Sequence, residues 1–262
     1  MRPYKNQGFS RRPSTPSNDN FCFGLRPVQE ALDAGKEIDK LLVQTGLKSE
    51  GIQEVLEKAA AANVPISKVP VEKLNNVTRK LHQGVIAYLS AIEYASLDNV
   101  ISECYQKGEM PLILLLDRVT DVRNFGAISR TAECLGVHAI VTPAKGGAMI
   151  GPDALKTSAG ALNYIPVCRV PNLKKTVEFL QDSGLRAVAC TEKASNTLFE
   201  VEMKGPLAII MGSEEDGISD DLIRITDEMV KIPMVGKVSS LNVSVATGMI
   251  LSESIRQRVL EQ

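Results

Sequence analysis

Apolar and polar residues alternate along this chain in two regimes that meet near residue 110. In the first, strands are predicted over 41–45, 66–69 and 84–91, between helices running from Pro27 to Gly35 and over 49–62. The second of these helices carries Ile52, Val55, Leu56 and Ala59 at intervals of three and four, the spacing of one helical face. Val64-Pro65 ends it, since a proline inside a helix removes a hydrogen bond and clashes with the preceding turn. Together they make a small α/β domain over 21–95, and the amphipathic stretch 96–110 that follows reads as a linker.

From Pro111 the strands become uniformly apolar. Runs at 112–117, 138–142, 165–170, 186–191, 207–212 and 230–234 alternate with helices around 127–135, 152–159, 173–182 and 220–225, and a last helix spans 242–260. Apolar strands separated by helices indicate a parallel sheet covered on both faces, so 111–262 is expected to be a second, α/β domain. Val245, Met249, Ile250 and Ile255 recur at helical spacing in the last helix, the stripe of a helix packed on something.

Composition narrows the class. The chain has 262 residues, 44% of them hydrophobic, enough to bury one large core or two modest ones. Its longest apolar run, Leu112 to Leu116, falls far short of the roughly 18 residues of a membrane span. Residues 1–20 are rich in Ser, Pro, Asn and Arg and offer no apolar segment for export, so a disordered basic tail and a cytoplasmic protein are expected. Five cysteines without a C-x-x-C pair and only two histidines argue against a disulfide framework or a metal site.

The net charge of −1 is not that of an obvious nucleic-acid binder, but it is unevenly spread. Residues 1–20 carry four basic groups against one acidic, 21–95 nine against nine, and 96–262 seventeen against twenty-one.

Three glycine-punctuated segments stand at strand ends, where open parallel sheets bind ligands: NFGAISRTA (124–132), MGSEEDGIS (211–219) and IPMVGKVSSLNVSVA (232–246). The middle one has the glycine spacing of a phosphate loop. It lacks the Lys-Ser/Thr pair, and Glu214, Glu215 and Asp216 would repel a triphosphate, which excludes an NTPase. No G-x-G-x-x-G dinucleotide fingerprint is present either.

The order N-x5-R, G-x-E-x2-G, then I-P-M with S-L-N-V-S-V-A resembles the SpoU family of RNA ribose 2′-O-methyltransferases, of the SPOUT class. FGLRPVQEAL (23–32) and HQGVIA (82–87) look like the small substrate-binding domain that precedes the catalytic domain in bacterial ribosomal members. The resemblance implies a parallel-sheet α/β catalytic domain with a C-terminal trefoil knot, S-adenosyl-L-methionine (AdoMet) as cofactor, no metal, and a homodimer. It places Thr191, Gly212, Ile232, Met234 and Leu241 at the cofactor. Arg130 matches the catalytic arginine; a guanidinium stays protonated, so its implied part is to stabilise the developing alkoxide, with an RNA phosphate taking the proton. Asn124 and Glu214 would orient Arg130 or the ribose, and Ser240 and Asn242 would shape the knot loop and touch substrate. Gly212 would let the main chain approach the adenosyl group. Arg123, Lys156, Arg79 and Lys80 are the candidates for phosphate contacts.

Taken singly these residues have plainer readings. Arg130 could project into solvent, Asn124 and Asn242 could be helix caps, Thr191 a strand-end cap, and His82 a structural residue. The target implied is a guanosine of large-subunit rRNA, because a small N-terminal domain precedes the catalytic one. A tRNA target stays open, as does a non-catalytic RNA-binding or ribosome-assembly factor, against which stand the intact Arg130, Asn124 and Glu214.

Overall fold

A computed structural model describes residues 21–238 and 240–259, so the expected basic tail lies outside the described residues. Strands β1 (Phe21–Phe23), β2 (Ile38–Gln44), β3 (Ile66–Val69) and β4 (Val85–Leu89) form a sheet in the order β1-β4-β2-β3. Helices α1 (Leu25–Asp33) and α2 (Glu50–Ala61) cover one face, where Val28, Ile52 and Val55 join Leu41 and Val43 in a core. The other face packs Leu42 and Ile86 against Leu74 of α3 (Val71–Val77). Neither the three-residue β1 nor the single-faced α3 is long enough to show a period in the sequence.

The second sheet contains β5 (Leu112–Leu116), β6 (Ala139–Pro143), β7 (Val167–Val170), β8 (Arg186–Cys190), β9 (Leu207–Met211) and β10 (Glu228–Val230). Every pairing is parallel, in the order β10-β8-β9-β5-β6-β7. Leu112, Leu114 and Leu116 of β5 point into one apolar cluster and Ile113 and Leu115 into the other. That double burial is why β5 reads as an unbroken apolar run. Helices α5 (Val122–Cys134), α6 (Pro152–Thr157) and α9 (Val243–Val259) supply the first cluster. Helices α4 (Leu97–Gln106), α7 (Leu173–Asp182) and α8 (Asp220–Ile223) supply the second.

Two expectations change. The stretch 96–110, read as a linker, holds α4, whose Leu97, Ile101 and Cys104 are buried, the first two in the second cluster. The last strand lies at 228–230 rather than 230–234, and Pro233, which has no N–H to give a ladder, falls beyond it.

From β5 the chain proceeds to β6 and β7 on one side, while from adjacent β9 it proceeds past β8 to β10 on the other. The carboxyl ends of β5 and β9 therefore form a topological switch point, the place where such sheets bind ligands.

The two sheets are joined by a buried polar group. Asp39 accepts from the Tyr94 hydroxyl at 2.6 Å and from the Ile150 N–H at 2.6 Å. Arg169 stacks 4.2 Å from the Tyr94 ring centroid and donates to the Ile38 carbonyl at 2.7 Å. Replacing Asp39 by Ala strands a buried N–H and a guanidinium. We expect a loss of about 2–4 kcal/mol in urea denaturation, and only about 1–2 kcal/mol for Tyr94→Phe, which leaves the carboxylate in place.

Candidate active site

The loop after β9 shapes the site. A Cβ at Gly212 would lie 2.1 Å from the carbonyl carbon of Gly217 and 2.3 Å from the Ile218 nitrogen. Glycine is required here so that the acidic loop can fold back on its own strand, a different reason from the approach of a ligand that the resemblance implies. The loop closes through Ser213 N–H to Gly217 O at 3.2 Å and Gly217 N–H to Ser213 O at 3.1 Å, with Gly217 at φ +65°.

A pair of residues that sequence reasoning missed fixes this loop from β5. Buried Asp117 accepts the Ser219 N–H at 2.7 Å, and Arg118 bridges Asp117, Asp216 at 3.2 Å and the Gly217 carbonyl at 3.1 Å. Arg118 holds φ +57°, unusual outside glycine, so its charge pairs offset a local backbone cost. The available signal was an acidic residue at the carboxyl end of the most apolar strand.

At the start of α5, Asp121 caps the helix by accepting the Asn124 N–H at 2.8 Å. Asn124 is thereby not the cap. Its side-chain Nδ2 donates to Glu214 Oε1 at 2.9 Å. Asn242 Nδ2 donates to the same Oε1 and, at 3.0 Å, to Asn124 Oδ1, while the Val243 N–H reaches Oε1 at 3.3 Å. Asn242 also caps α9, because its Oδ1 accepts the Ser244 N–H at 3.0 Å. Three expected residues, Asn124, Glu214 and Asn242, thus form one hydrogen-bonded cluster.

Beside the cluster lies a cavity of about 350 Å³. Thr191, Gly212, Ile232, Met234 and Leu241 all line it, as do Ser240 and Glu214. Thr191 serves both of its readings, since its hydroxyl also accepts the Lys193 N–H at 3.3 Å. Cys190 is a wall residue whose thiol is pushed up to about 12 by burial, with a smaller contribution from Glu192.

Arg130 stands apart. It is exposed on α5, about 9 Å along the axis and about 120° around the helix from Asn124, and it pairs with nothing among the described residues. Its neighbour Thr131 abuts α9 at Gly248. Arg123, Lys156, Arg79 and Lys80 are also exposed and line none of this cavity. His82 is buried and structural: Nδ1 accepts the Gly84 N–H at 3.0 Å and the ring faces Asn75 at 3.0 Å.

Cys104, Glu109 and His138 gather at the opposite, amino-terminal end of the strands. His138 Nδ1 accepts the Leu112 N–H at 3.0 Å, so the neutral ring carries its proton on Nε2, the nitrogen facing Glu109. That ring is a hydrogen-bond donor there, not a free ligand.

Comparison with known proteins decides the family. The model of the SpoU rRNA methylase family matches residues 111–252, and that of RNA 2′-O ribose methyltransferase substrate binding matches 21–95. The chain belongs to the SpoU methylase family. A Bacillus subtilis (strain 168) relative, YacO, which carries the name of a TrmH family tRNA/rRNA methyltransferase, is 35% identical over 239 residues, covering 91% of this chain and 96% of its own. The AdoMet-bound rRNA methyltransferase of Sinorhizobium meliloti is 25% identical with a TM-score of 0.57, covering 90% of this chain and 87% of that one. The TrmH/SpoU tRNA modifying enzyme of A. aeolicus is 30% identical with a TM-score of 0.53, covering 63% of this chain and 85% of its own. The hydrogen-bonded cluster and every cavity residue named above fall within the span of the SpoU methylase model.

The geometry at Gly212 yields a test. With main-chain atoms of Gly217 and Ile218 inside 2.4 Å of an added Cβ, Gly212→Ala must displace the acidic loop. The expected loss is about 2–4 kcal/mol in equilibrium unfolding, against less than about 1 kcal/mol for Gly236→Ala, where an added Cβ meets nothing within 4 Å.

Proposed function

We propose that this protein transfers the methyl group of AdoMet to a ribose 2′-hydroxyl of RNA, acting in the cytoplasm as a metal-independent homodimer on a guanosine of large-subunit rRNA. The observation that carries the reading is the Asn124–Glu214–Asn242 cluster at the rim of a cavity lined by all five cofactor residues expected from the resemblance. The rRNA target is supported by the length of the match. The S. meliloti rRNA enzyme aligns with both sheets, whereas the A. aeolicus tRNA enzyme covers 63% of this chain.

The cavity residues fit the cofactor chemically. Ile232, Met234 and Leu241 offer apolar surface to an adenine, and the carboxylates of Glu192 and Glu215 complement a cationic sulfonium and amine. When bound, AdoMet supplies an electrophilic methyl group. Glu214 Oε1, taken up by three N–H donors, holds the two asparagine amides in fixed orientations. Their remaining polar atoms can orient a ribose hydroxyl, and fixing that approach lowers the entropic part of the barrier. The hydroxyl proton passes to an RNA phosphate, and Arg130 stabilises the alkoxide as it forms.

Because Arg130 does not touch the cluster of its own chain, we assign it to the site of the second copy. Exposed Val245, Met249 and Val259 form a stripe along α9, beside α5, and a second copy seated on that face would bring the two Arg130 side chains inward. The implied knot, with residues 231–259 threading the loop 191–206, is supported by Lys231 N–H to Asn196 O and Leu198 N–H to Lys231 O, both 2.9 Å, which clasp the two segments.

Calorimetry should detect AdoMet binding with EDTA present; a metal requirement would sink the reading. Ribose-methylation mapping of RNA from a deletion strain against its parent identifies the nucleotide. Arg130→Ala should reduce turnover by at least about a hundredfold while leaving AdoMet affinity within about threefold. Mixing Arg130→Ala with Glu214→Ala subunits should restore roughly a quarter of wild-type sites if the arginine acts across the dimer. No restoration would place Arg130 in its own chain's site.

A further inference from the structure

The cofactor cavity opens into a longer trough. A hollow of about 420 Å³ shares Ser213, Glu214 and Val243 with it and adds Arg118, Thr120 and Asn124. A third hollow, of about 400 Å³, shares Thr120 and Gly146 with the second and lies between the two sheets. Its walls are Lys40 and Ile66 on the small unit and Lys145, Gly147 and Met149 on the large one.

The chemistry changes along the trough. Glu214, Glu215 and Asp216 stand at the cofactor end, Lys40 and Lys145 at the far end. Neither lysine has a hydrogen-bond or ion-pair partner among the described residues, whereas Arg169, on the same wall, is committed to Ile38 and Tyr94. Two local features build this end. Adjacent residues of a regular strand face opposite ways, yet Asp39 and Lys40 both line the cleft, because the pairing of β2 with β4 shifts register between Ile38 and Lys40. The loop after β6 is drawn tight at Gly147, where a Cβ would fall 2.4 Å from Thr142 Oγ1 and 2.8 Å from the Pro143 carbonyl. The N–H groups of Gly146 and Gly147 donate to none of the described residues.

We propose that this cleft between the two sheets binds the RNA strand next to the modified nucleotide, with its phosphate drawn to Lys40 and Lys145 and a base against Ile66 and Met149. The inference rests on the RNA methyltransferase reading above and adds to it the path of the strand. Unpaired lysines and free main-chain donors suit a phosphate, the apolar wall suits a base, and continuity with the Asn124–Glu214 rim suits a segment adjoining the target ribose.

The test compares the full-length wild type with Lys40→Ala/Lys145→Ala and with Lys145→Glu. Methyl transfer is measured with labelled AdoMet on total RNA from a strain lacking the gene, and affinity with a short fluorescein-labelled single-stranded RNA across a salt series. The double variant should keep AdoMet affinity within about twofold and need about tenfold more RNA for half-saturation. Its log affinity should fall less steeply with log salt, by about 1.4, since each lost single-strand phosphate contact removes about 0.7. If the double variant melts early, Lys145→Glu, on an exposed loop residue, carries the comparison. Wild-type transfer with unchanged half-saturation and unchanged salt slope in the variants overturns the cleft alone. A wild type that binds AdoMet but methylates nothing in this RNA overturns the proposed function, and the cleft with it.

Discussion

One carboxylate oxygen holds the site together. Glu214 Oε1 receives N–H groups from Asn124, Asn242 and Val243, which belong to segments 90 and 28 residues away in the chain. A hydrogen bond to a charged acceptor contributes about 1.5–3 kcal/mol, more than a neutral one, and three on a single atom set the loop after β9, the start of α5 and the start of α9 at fixed mutual positions. Independent caps make this possible. Asp121 satisfies the α5 terminus, so Asn124 is free to reach sideways, and Asn242 caps α9 with its oxygen while its nitrogen reaches Glu214.

That arrangement is rigid only because both ends of the acidic loop are anchored in the sheet. Gly212 brings the loop against its own strand, and Asp117 and Arg118 hold its far end from β5. Strands β5 and β9 are neighbours buried on both faces, so their carboxyl ends move little relative to each other. The variable chemistry sits in loops and the geometry comes from the scaffold beneath them.

How far the sequence revealed this depends on the range of each interaction. Helix α7 lies where its apolar period and the Asn172 cap place it, and β5 where its apolar run places it, because those signals are local. Helix α4 has the same kind of period, Leu97, Ile101 and Cys104, but lies between two units, and only its distant partners Leu173 and Ala208 show that it belongs to a core. Asn124, Glu214 and Asn242 were legible as motif positions; that they share one oxygen was not. Arg118 was missed because both its left-handed backbone and its partners near residue 217 are tertiary facts. The purpose of Gly212 was misread for the same reason: its crowding neighbour is its own loop.

Charge explains how a chain of net charge −1 handles a polyanion. The loop 214–216 concentrates negative charge beside the cavity, which suits a cationic cofactor and repels phosphate. Arg118 neutralises part of it by pairing with Asp216, yet Glu214 and Glu215 stay exposed at the rim. A ribose entering between the asparagines therefore has its flanking phosphates pushed away from this loop. Cations available to receive them lie on other elements: Arg130 on α5, Lys145 on the loop after β6 and Lys40 on β2. The acidic loop thus sets the direction of the strand by repulsion, and a few basic residues at separate positions are enough to receive it without a strongly basic surface.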